Sequence, residues 1–272
     1  MTEPLGRRCA LVLLAALMLA ATVGLLAWGP VELSAAEHHY ADRRAWLGLP
    51  NAANVLANLP LLAAGFWGWR ATRACAWPVE LRRPLELFHL CVIGSATLAA
   101  AYHAAPGDVG YLLSQIAMSA TFVMLSAGVL TERVDKRFGS PRGIKAAVAS
   151  IAAMVALIVL GLAATETVDL RPLLLVQLLP VLLVPAGVTS LPGGHTRSSD
   201  WMLLLAGYAT SRLFDLGDAA IFRAVGWLSG HTLMHLGLAG VAAWLAYCAA
   251  RAPAAVAGEM PSRRAASLNT AS

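Results

Sequence analysis

Long apolar runs, each bounded by charged residues, proline or glycine, recur along the whole chain. They predict eight helices, over about 9–29, 51–69, 86–104, 110–131, 145–163, 171–189, 200–216 and 227–250. A helix needs about 20 apolar residues to cross a membrane, and most of these runs approach that length. The runs are continuous and rich in Leu and Ala, whereas the strands of a transmembrane β-barrel alternate apolar and polar residues. The pattern predicts an all-α polytopic membrane protein.

The composition agrees with this pattern. Hydrophobic residues make up 58% of the 272 residues and charged residues 13%, and the mean hydropathy is +0.67. A typical soluble domain has about 25% charged residues, so a soluble enzyme and a disordered chain are both disfavoured. The net charge of +5 does not indicate nucleic-acid binding, because the basic residues flank the predicted spans. The four cysteines (Cys9, Cys75, Cys91 and Cys248) have no CxxC spacing and are predicted to be free thiols.

The charged ends of the runs predict the orientation. Membrane proteins concentrate arginine and lysine on the cytoplasmic side. Here most of them fall on one side, above all within 133–145, if both termini are cytoplasmic. Ser34-Ala35-Ala36 is similar to a signal cleavage site, but the first run of about 20 residues favours an uncleaved helix. We expect a transmembrane or signal-anchor helix with its linker (1–37), a membrane domain (38–251) and a disordered cytoplasmic tail (252–272).

Three histidines are the strongest candidates for chemistry, because an ionisable residue inside a span is costly and marks a functional site by default. His231 and His235 are four residues apart at the start of the last run, so they share one helix face. His103 lies near the end of the third run, which the topology places on the same, non-cytoplasmic side. Three neutral imidazoles at one depth suit a catalytic zinc ion that keeps a fourth position for water. The alternative is that each histidine hydrogen-bonds to a neighbouring helix.

Other polar residues within the runs have structural interpretations. His89 precedes His103 by about 21 Å of helix, so we expect it in the other leaflet, away from the site. Arg212 and Asp215 share a helix face and are expected to pair, while Asp218 lies near the proposed site. Three asparagines are expected to hydrogen-bond to other helices or to buried water: Asn51, Asn54 and Asn58.

Two segments, Tyr102-His103-x-x-Pro106 and Ser229-Gly230-His231-Thr232-Leu233-x-His235, resemble motifs of the alkaline ceramidase family. This family is part of the CREST superfamily, which also includes adiponectin-receptor-like proteins. The sequence NAANVLANLP at 51–60 resembles the family's first core helix, and the whole resemblance covers about 38–250. It implies a seven-helix membrane core, so that the first predicted span is an extra N-terminal helix. It also implies zinc held by His103, His231 and His235, and hydrolysis of a ceramide amide to a sphingoid base and a fatty acid.

Two positions depart from the family pattern. The family has a serine four residues before the first histidine and an aspartate eleven residues after it, where this chain has Ala99 and Ser114. In the family the aspartate assists the attacking water and the serine supports the metal site or the oxyanion. A general base contributes about 10²–10⁴-fold, so its loss predicts a slow or inactive enzyme. Asp108 and Asp218 lie on the expected side and are candidate replacement bases.

The expected function is zinc-dependent hydrolysis of an amide bond in a ceramide-like membrane lipid. The main alternative is a non-catalytic lipid-binding or receptor-like protein with a structural zinc, and Ala99 and Ser114 favour it. A haem-binding bundle is a further alternative, although one haem needs only two of the three histidines. A transporter has weak support, because the spans carry few charges and no Gly- or Pro-broken helix pair is evident. The sequence does not specify the oligomeric state.

Overall fold

The computed structural model describes residues 5–252, and every regular element in that range is helical. The α-helices in order are α1 (Leu5–Trp28), α2 (Ala52–Leu56), α3 (Asn58–Ala74), α4 (Val79–Ala104), α5 (Asp108–Arg133), α6 (Pro141–Thr165), α7 (Arg171–Ser190), α8 (Ser198–Leu216), α9 (Asp218–Val225) and α10 (Gly230–Ala250). Short 3-10 helices occur at Ala35–His38 and Lys136–Gly139. The all-α prediction is thus confirmed for this range. The predicted tail, 252–272, lies outside it apart from Ala252.

Six of the described helices are long and apolar enough to cross a membrane: α1 (over Arg8–Trp28), α4, α5, α6, α7 and α10. They support an integral membrane protein. The predicted spans 51–69 and 200–216 correspond to α3 and α8, which are outside this set. The reason is that α3 has only 17 residues, while α8 carries Asp200, Arg212 and Asp215. The eight-span prediction is therefore confirmed for six helices.

Two of the predicted runs have different bounds in the structure: the second is divided, and the last begins later. Pro60 lacks the N–H group that would bond to the carbonyl of Leu56, and its ring crowds that carbonyl, so α2 ends and α3 begins there. The last run begins at Gly230 rather than 227, because the Ser229 side chain caps the helix by accepting from the Thr232 N–H (3.2 Å). The separate helix α9 precedes it.

Six helices form a closed ring: α3, α4, α5, α7, α8 and α10, with α10 returning to α3. The core between them is filled by fully buried side chains such as Leu85, Val184 and Trp201. Helix α6 packs on the outside of α5 and α7, and α1 packs on the outside of α7 through Ala10 and Leu14. The first helix is therefore peripheral to the ring, as an extra N-terminal helix should be.

The loop between α7 and α8 is held to the end of α5 by two charged residues. Both carboxylate oxygens of Glu132 accept hydrogen bonds from this loop, including those from the backbone N–H groups of His195 and Thr196 (3.0 and 2.6 Å). Arg133 donates to the carbonyls of Leu191 and Thr196. Because both side chains are buried, these bonds offset much of their desolvation.

His89 lies apart from the other candidate histidines, as predicted, and packs against α3. Its side chain is fully buried, and neither ring nitrogen has a hydrogen-bond partner among the described residues. The absence of a side chain at Gly68 makes room for the ring. A Cβ atom at that position would lie well inside van der Waals contact with the imidazole. Gly68 therefore sets the approach of α3 to α4.

We expect Gly68→Ala to destabilise the purified protein by about 1–3 kcal/mol, because it overpacks a filled contact. Thermal unfolding in detergent measures this loss as a lower melting temperature. The matched comparison is Gly68→Ala made in a His89→Ala background, where the missing ring leaves space for the new methyl group. There the second substitution should cost little. An equal loss in both backgrounds would contradict the assigned contact.

Candidate metal centre

The ends of α4 and α10 bring the three histidines together. His103 is next to the last residue of α4, and His231 is the second residue of α10. These helices pack on opposite sides of α3 in the ring, and their histidine-bearing ends lie at the same end of the bundle. His235 follows one turn later on the same face of α10. The topological argument from the sequence thus predicted the right juxtaposition.

The three imidazoles converge on a single point. Their Nε2 atoms are separated by 3.0 Å (His103–His235), 3.3 Å (His231–His235) and 3.4 Å (His103–His231). An ion about 2.0–2.1 Å from each of two tetrahedral nitrogen ligands separates them by about 3.3–3.4 Å. These residues, and no other His, Cys, Asp or Glu group within 5–252, form a cluster that meets the geometric requirement for holding a metal ion. The predicted ligand set is therefore confirmed as a potential metal site.

The hydrogen bonding of His231 fits a ligand role. Its Nδ1 lies 2.7 Å from Oδ1 of Asp215, whose Oδ2 is 3.0 Å from the Arg212 guanidinium. With Nδ1–H donating a hydrogen bond to the Asp215 carboxylate, Nε2 presents its lone pair to the centre of the triangle. The lone pairs of three imidazole nitrogens that face one another repel unless a cation is bound between them. The predicted pairing of Arg212 with Asp215 is also confirmed.

The other two histidines are oriented mainly by packing. Their Nδ1 atoms are buried and have no hydrogen-bond partner in the described part of the chain. The backbone carbonyl of His103 accepts from Nδ2 of Asn51 (2.8 Å), which ties the end of α4 to the start of α2. Oδ1 of Asn54 accepts from the Thr232 hydroxyl (2.8 Å) and so connects α2 with α10. These bonds confirm the interhelical role predicted for these two asparagines.

Residues 31–44, the cover segment, lie across this end of the bundle. Its start is held by backbone hydrogen bonds between Leu33 and Val168 (3.0 Å) and between Leu170 and Val31 (2.7 Å). Further along, the His38 ring bridges the Tyr102 hydroxyl and the Asp108 carboxylate, at 2.8 Å each. The segment therefore contacts the loop before α7 and the ends of α4 and α5.

The end of the cover segment is anchored by charge. The buried Asp42 carboxylate receives two hydrogen bonds from the Arg44 guanidinium (2.7 and 2.8 Å). These bonds hold the pKa of Asp42 below its usual range. Their stabilisation is therefore present at neutral pH and is lost as the pH falls through that lowered pKa. Arg44 also donates to the carbonyl of Trp227 (2.9 Å) and lies over the Phe222 ring.

Tyr40 is the site residue that the sequence analysis missed. Its ring centroid lies 4.9 Å from that of His103 and 4.7 Å from that of His231. Its hydroxyl is buried without a hydrogen-bond partner among the described residues, and burial raises the pKa of Tyr40. The signal available in the sequence was an aromatic residue directly after His38 and His39, in the loop before the segment 51–60.

The two candidate bases occupy different environments. The Asp108 side chain is 70% exposed and contacts His38, and it does not line the cavity at the histidines. Asp218 lines that cavity, but its oxygens accept from the backbone N–H groups of His231 and Ala41, at 2.8 Å each. Asp218 thus joins the cover segment to the start of α10. Their assignment as bases stays a prediction.

The two positions at which this chain differs from the resembling family lie at the site. Ala99 and Ser114 both line the cavity that contains the histidines, which has a volume of about 430 Å³. The Ser114 hydroxyl donates to the carbonyl of Tyr111 on its own helix (2.7 Å). Neither position supplies an acidic group. The chain therefore places its departures from the family pattern beside the three histidines.

The cavity continues into an apolar pocket between the ring helices. Both share the lining residues Leu61, Ser95, Met118 and Leu238. The pocket extends past Phe88, Phe122 and side chains of α7 and α8, and its lining is almost wholly apolar. A long apolar group bound there would place its polar end at the histidines. Comparisons with family models, with curated proteins and with solved structures found no match.

Proposed function

We propose that the protein is a zinc-dependent hydrolase of a lipid amide bond within the membrane, with His103, His231 and His235 as the metal ligands. The triangle of Nε2 atoms 3.0–3.4 Å apart carries this proposal, because it matches three corners of a tetrahedral zinc site. His103, His231 and His235 would hold the ion through their Nε2 atoms and would leave a fourth ligand position for water. Zinc, when bound, supplies the Lewis acidity that activates water for attack on a carbonyl.

The ligand set favours zinc over haem. Imidazole nitrogens suit zinc, and three of them with an open fourth position are the arrangement of catalytic sites. One haem would use at most two of the three histidines as axial ligands. All three Nε2 atoms here lie within 3.4 Å of one another, so the third imidazole would have no role in a haem site. The haem alternative therefore loses support.

The shape of the cavity supports a lipid as the substrate. The polar part holds the histidines with Tyr40, Arg212 and Asp215, and the connected pocket is apolar. A lipid with a carbonyl near its headgroup and a long acyl chain fits both parts. A ceramide-like amide has this form. An ester with the same chain length would fit equally, so the bond type rests on the resemblance.

Within this proposal, Tyr40 supplies the hydrogen bond that the family serine no longer provides. Its unpartnered hydroxyl is buried in the same cavity as Ala99. We expect Tyr40→Phe to lower hydrolysis about 10²-fold with unchanged zinc content, which is typical for loss of one oxyanion donor. Fatty-acid release and metal analysis on the same preparation measure both quantities. Loss of zinc together with activity would instead assign Tyr40 a purely structural role.

The non-catalytic alternative keeps a specific observation in its favour. Neither Ala99 nor Ser114 provides a base, and both oxygens of Asp218 already accept backbone hydrogen bonds. A zinc ion between α4 and α10 would then clamp the bundle and leave the cavity to bind a lipid without cleaving it. Both the hydrolase and the lipid-binding protein would hold zinc, but only the hydrolase would cleave the bound lipid.

The deciding experiment compares metal content and turnover in one preparation. Detergent-purified protein is analysed for zinc and then incubated with a panel of lipid amides and matched esters, and released fatty acid is quantified. About one zinc per chain with amide hydrolysis that stops after chelation and returns with zinc supports the proposal. One zinc per chain without any hydrolysis supports the receptor-like alternative. Absence of metal after zinc addition would overturn both.

The orientation forms part of the proposal, with both termini in the cytoplasm and the site towards the opposite side. Lys136 and Arg137 lie between α5 and α6, and Arg142 and Lys145 lie in the first turns of α6, whereas the 105–109 loop has no basic residue. A reporter fused after residue 140 should therefore be cytoplasmic, and one within 105–109 should be on the other side. Labelling of both positions from the same side would contradict the proposed topology.

A further inference from the structure

A groove on the opposite end of the bundle has no part in the proposed reaction. It has a volume of about 1090 Å³ and lies between α5, α6 and α7. Its walls are apolar: Val123, Ala127, Leu130, Ala146, Ala147, Leu179 and Leu183. Its rim is formed by Asp135 and Arg137 from the loop between α5 and α6 and by Arg142 from the first turn of α6. The groove therefore combines a charged mouth with an apolar interior.

The rim carries cations without partners. The side chains of Arg137 and Arg142 are exposed and form no ion pair or hydrogen bond with a described residue. Asp135 is the one acidic side chain in the lining, and its carboxylate accepts from the Arg137 backbone N–H (2.8 Å). Lys136 and Lys145 are exposed nearby in the sequence and are also unpaired among the described residues. The rim is thus net positive.

A buried polar group lies inside the groove. Ser126 is 4% exposed and lines the groove, yet its hydroxyl has no hydrogen-bond partner among the described residues. Serine in a helix commonly bonds to the carbonyl four residues earlier, and Ser126 does not. An oxygen atom from a bound molecule would satisfy this hydroxyl. The buried wall therefore offers a polar contact about two turns below the rim.

The depth of the groove matches one leaflet. From Arg133 at the end of α5 to Val123 there are ten residues, or about 15 Å of helix. The hydrocarbon core of a bilayer is about 30 Å thick, so the groove reaches from one surface to about the midplane. One acyl chain of a phospholipid covers the same distance. Its ester oxygens would lie beneath the headgroup, on the side of Ser126.

We propose that this groove binds one anionic phospholipid, with its phosphate on Arg137 and Arg142 and an acyl chain along the apolar wall between α5, α6 and α7. Basic pockets between transmembrane helices on the side rich in Lys and Arg recognise anionic headgroups in this way. The site is independent of the metal centre and of the reaction proposed for it. It fixes α6, which otherwise packs only on the outside of the ring.

The test uses delipidated full-length protein in detergent and native mass spectrometry with dioleoyl phosphatidylglycerol, dioleoyl phosphatidylcholine or glycerol phosphate. We expect one phosphatidylglycerol per chain, with much weaker binding of the other two probes. Arg137→Gln with Arg142→Gln should weaken phosphatidylglycerol binding about 30-fold, as expected for two surface charges. Ala146→Trp, at an exposed wall position, should exclude the lipid while the rim charges stay in place.

The matched control is Arg70→Gln with Arg73→Gln, which removes two exposed arginines from the end of α3, a helix that contributes no residue to the groove. It should change binding by less than about threefold. An equal loss in control and rim variants, or equal binding of phosphatidylcholine, would show surface attraction without a site and overturn the proposal. Full competition by glycerol phosphate would overturn it in favour of an anion site. A dimer broken by Ala146→Trp would overturn it in favour of a second copy of the chain.

Discussion

On the proposed function, replacing His235 by alanine is expected to reduce bound zinc from about one ion per chain to less than about one tenth, and to abolish lipid-amide hydrolysis. His235 Nε2 is one corner of the ligand triangle, 3.0 Å from Nε2 of His103 and 3.3 Å from Nε2 of His231. Two imidazoles and water hold zinc far more weakly than three imidazoles. The loss of zinc affinity should therefore exceed the roughly 10–100-fold that is typical when a residue hydrogen-bonded to a metal ligand is replaced. Metal analysis after gel filtration measures it directly.

Two other variants make this result specific. His195→Ala removes an exposed histidine from the loop between α7 and α8, and we expect its zinc content to equal that of the parent. Asp215→Asn keeps the shape of the residue bonded to His231 Nδ1 and should lower zinc affinity by about 10–100-fold. The expected order of affinity is parent, then Asp215→Asn, then His235→Ala. Full zinc occupancy in His235→Ala would exclude the three-histidine site.

The sequence could predict the cluster of three histidines because helices restrict where residues can lie. Four residues of separation put His231 and His235 on one face, and alternation of spans put His103 at the same end. Neither inference needed the details of packing. The pairing of Arg212 with Asp215 was equally local. Such features depend on spacing within one helix or on the order of the helices.

The cover segment could not be predicted in the same way. Tyr40 reaches the site because residues 31–44 are held by contacts with Val168, Asp218 and Trp227, which are far away in sequence. No periodicity marks such contacts. The division of the second run was also missed, although Pro60 was visible, because apolar composition continues through the break at Ala57. Loop paths and helix breaks depend on the tertiary structure.

On the proposed function, introducing the residue types of the resembling family, with Ala99→Ser and Ser114→Asp in one protein, is expected to raise lipid-amide hydrolysis by up to about 10²–10⁴-fold. Both positions line the cavity of the three histidines, so the new side chains face the reacting groups. A carboxylate at 114 would accept the proton of the attacking water. The Ser114 hydroxyl donates its hydrogen bond to a carbonyl of its own helix, so the substitution breaks no hydrogen bond between helices.

The gain in hydrolysis depends on how the negative charge of the new carboxylate at position 114 is paired. A buried charge in the membrane interior is costly unless it is paired. Arg212 lines the same cavity and its side chain is 44% exposed, so it can approach a second acid while it keeps Asp215. Adding His231→Ala to the double variant should remove the gain completely. If the double variant binds zinc but hydrolyses no faster than the parent, the receptor-like function becomes the better explanation. If the parent is active and Asp108→Asn or Asp218→Asn abolishes that activity at full zinc occupancy, the base lies at that residue and the present site is complete.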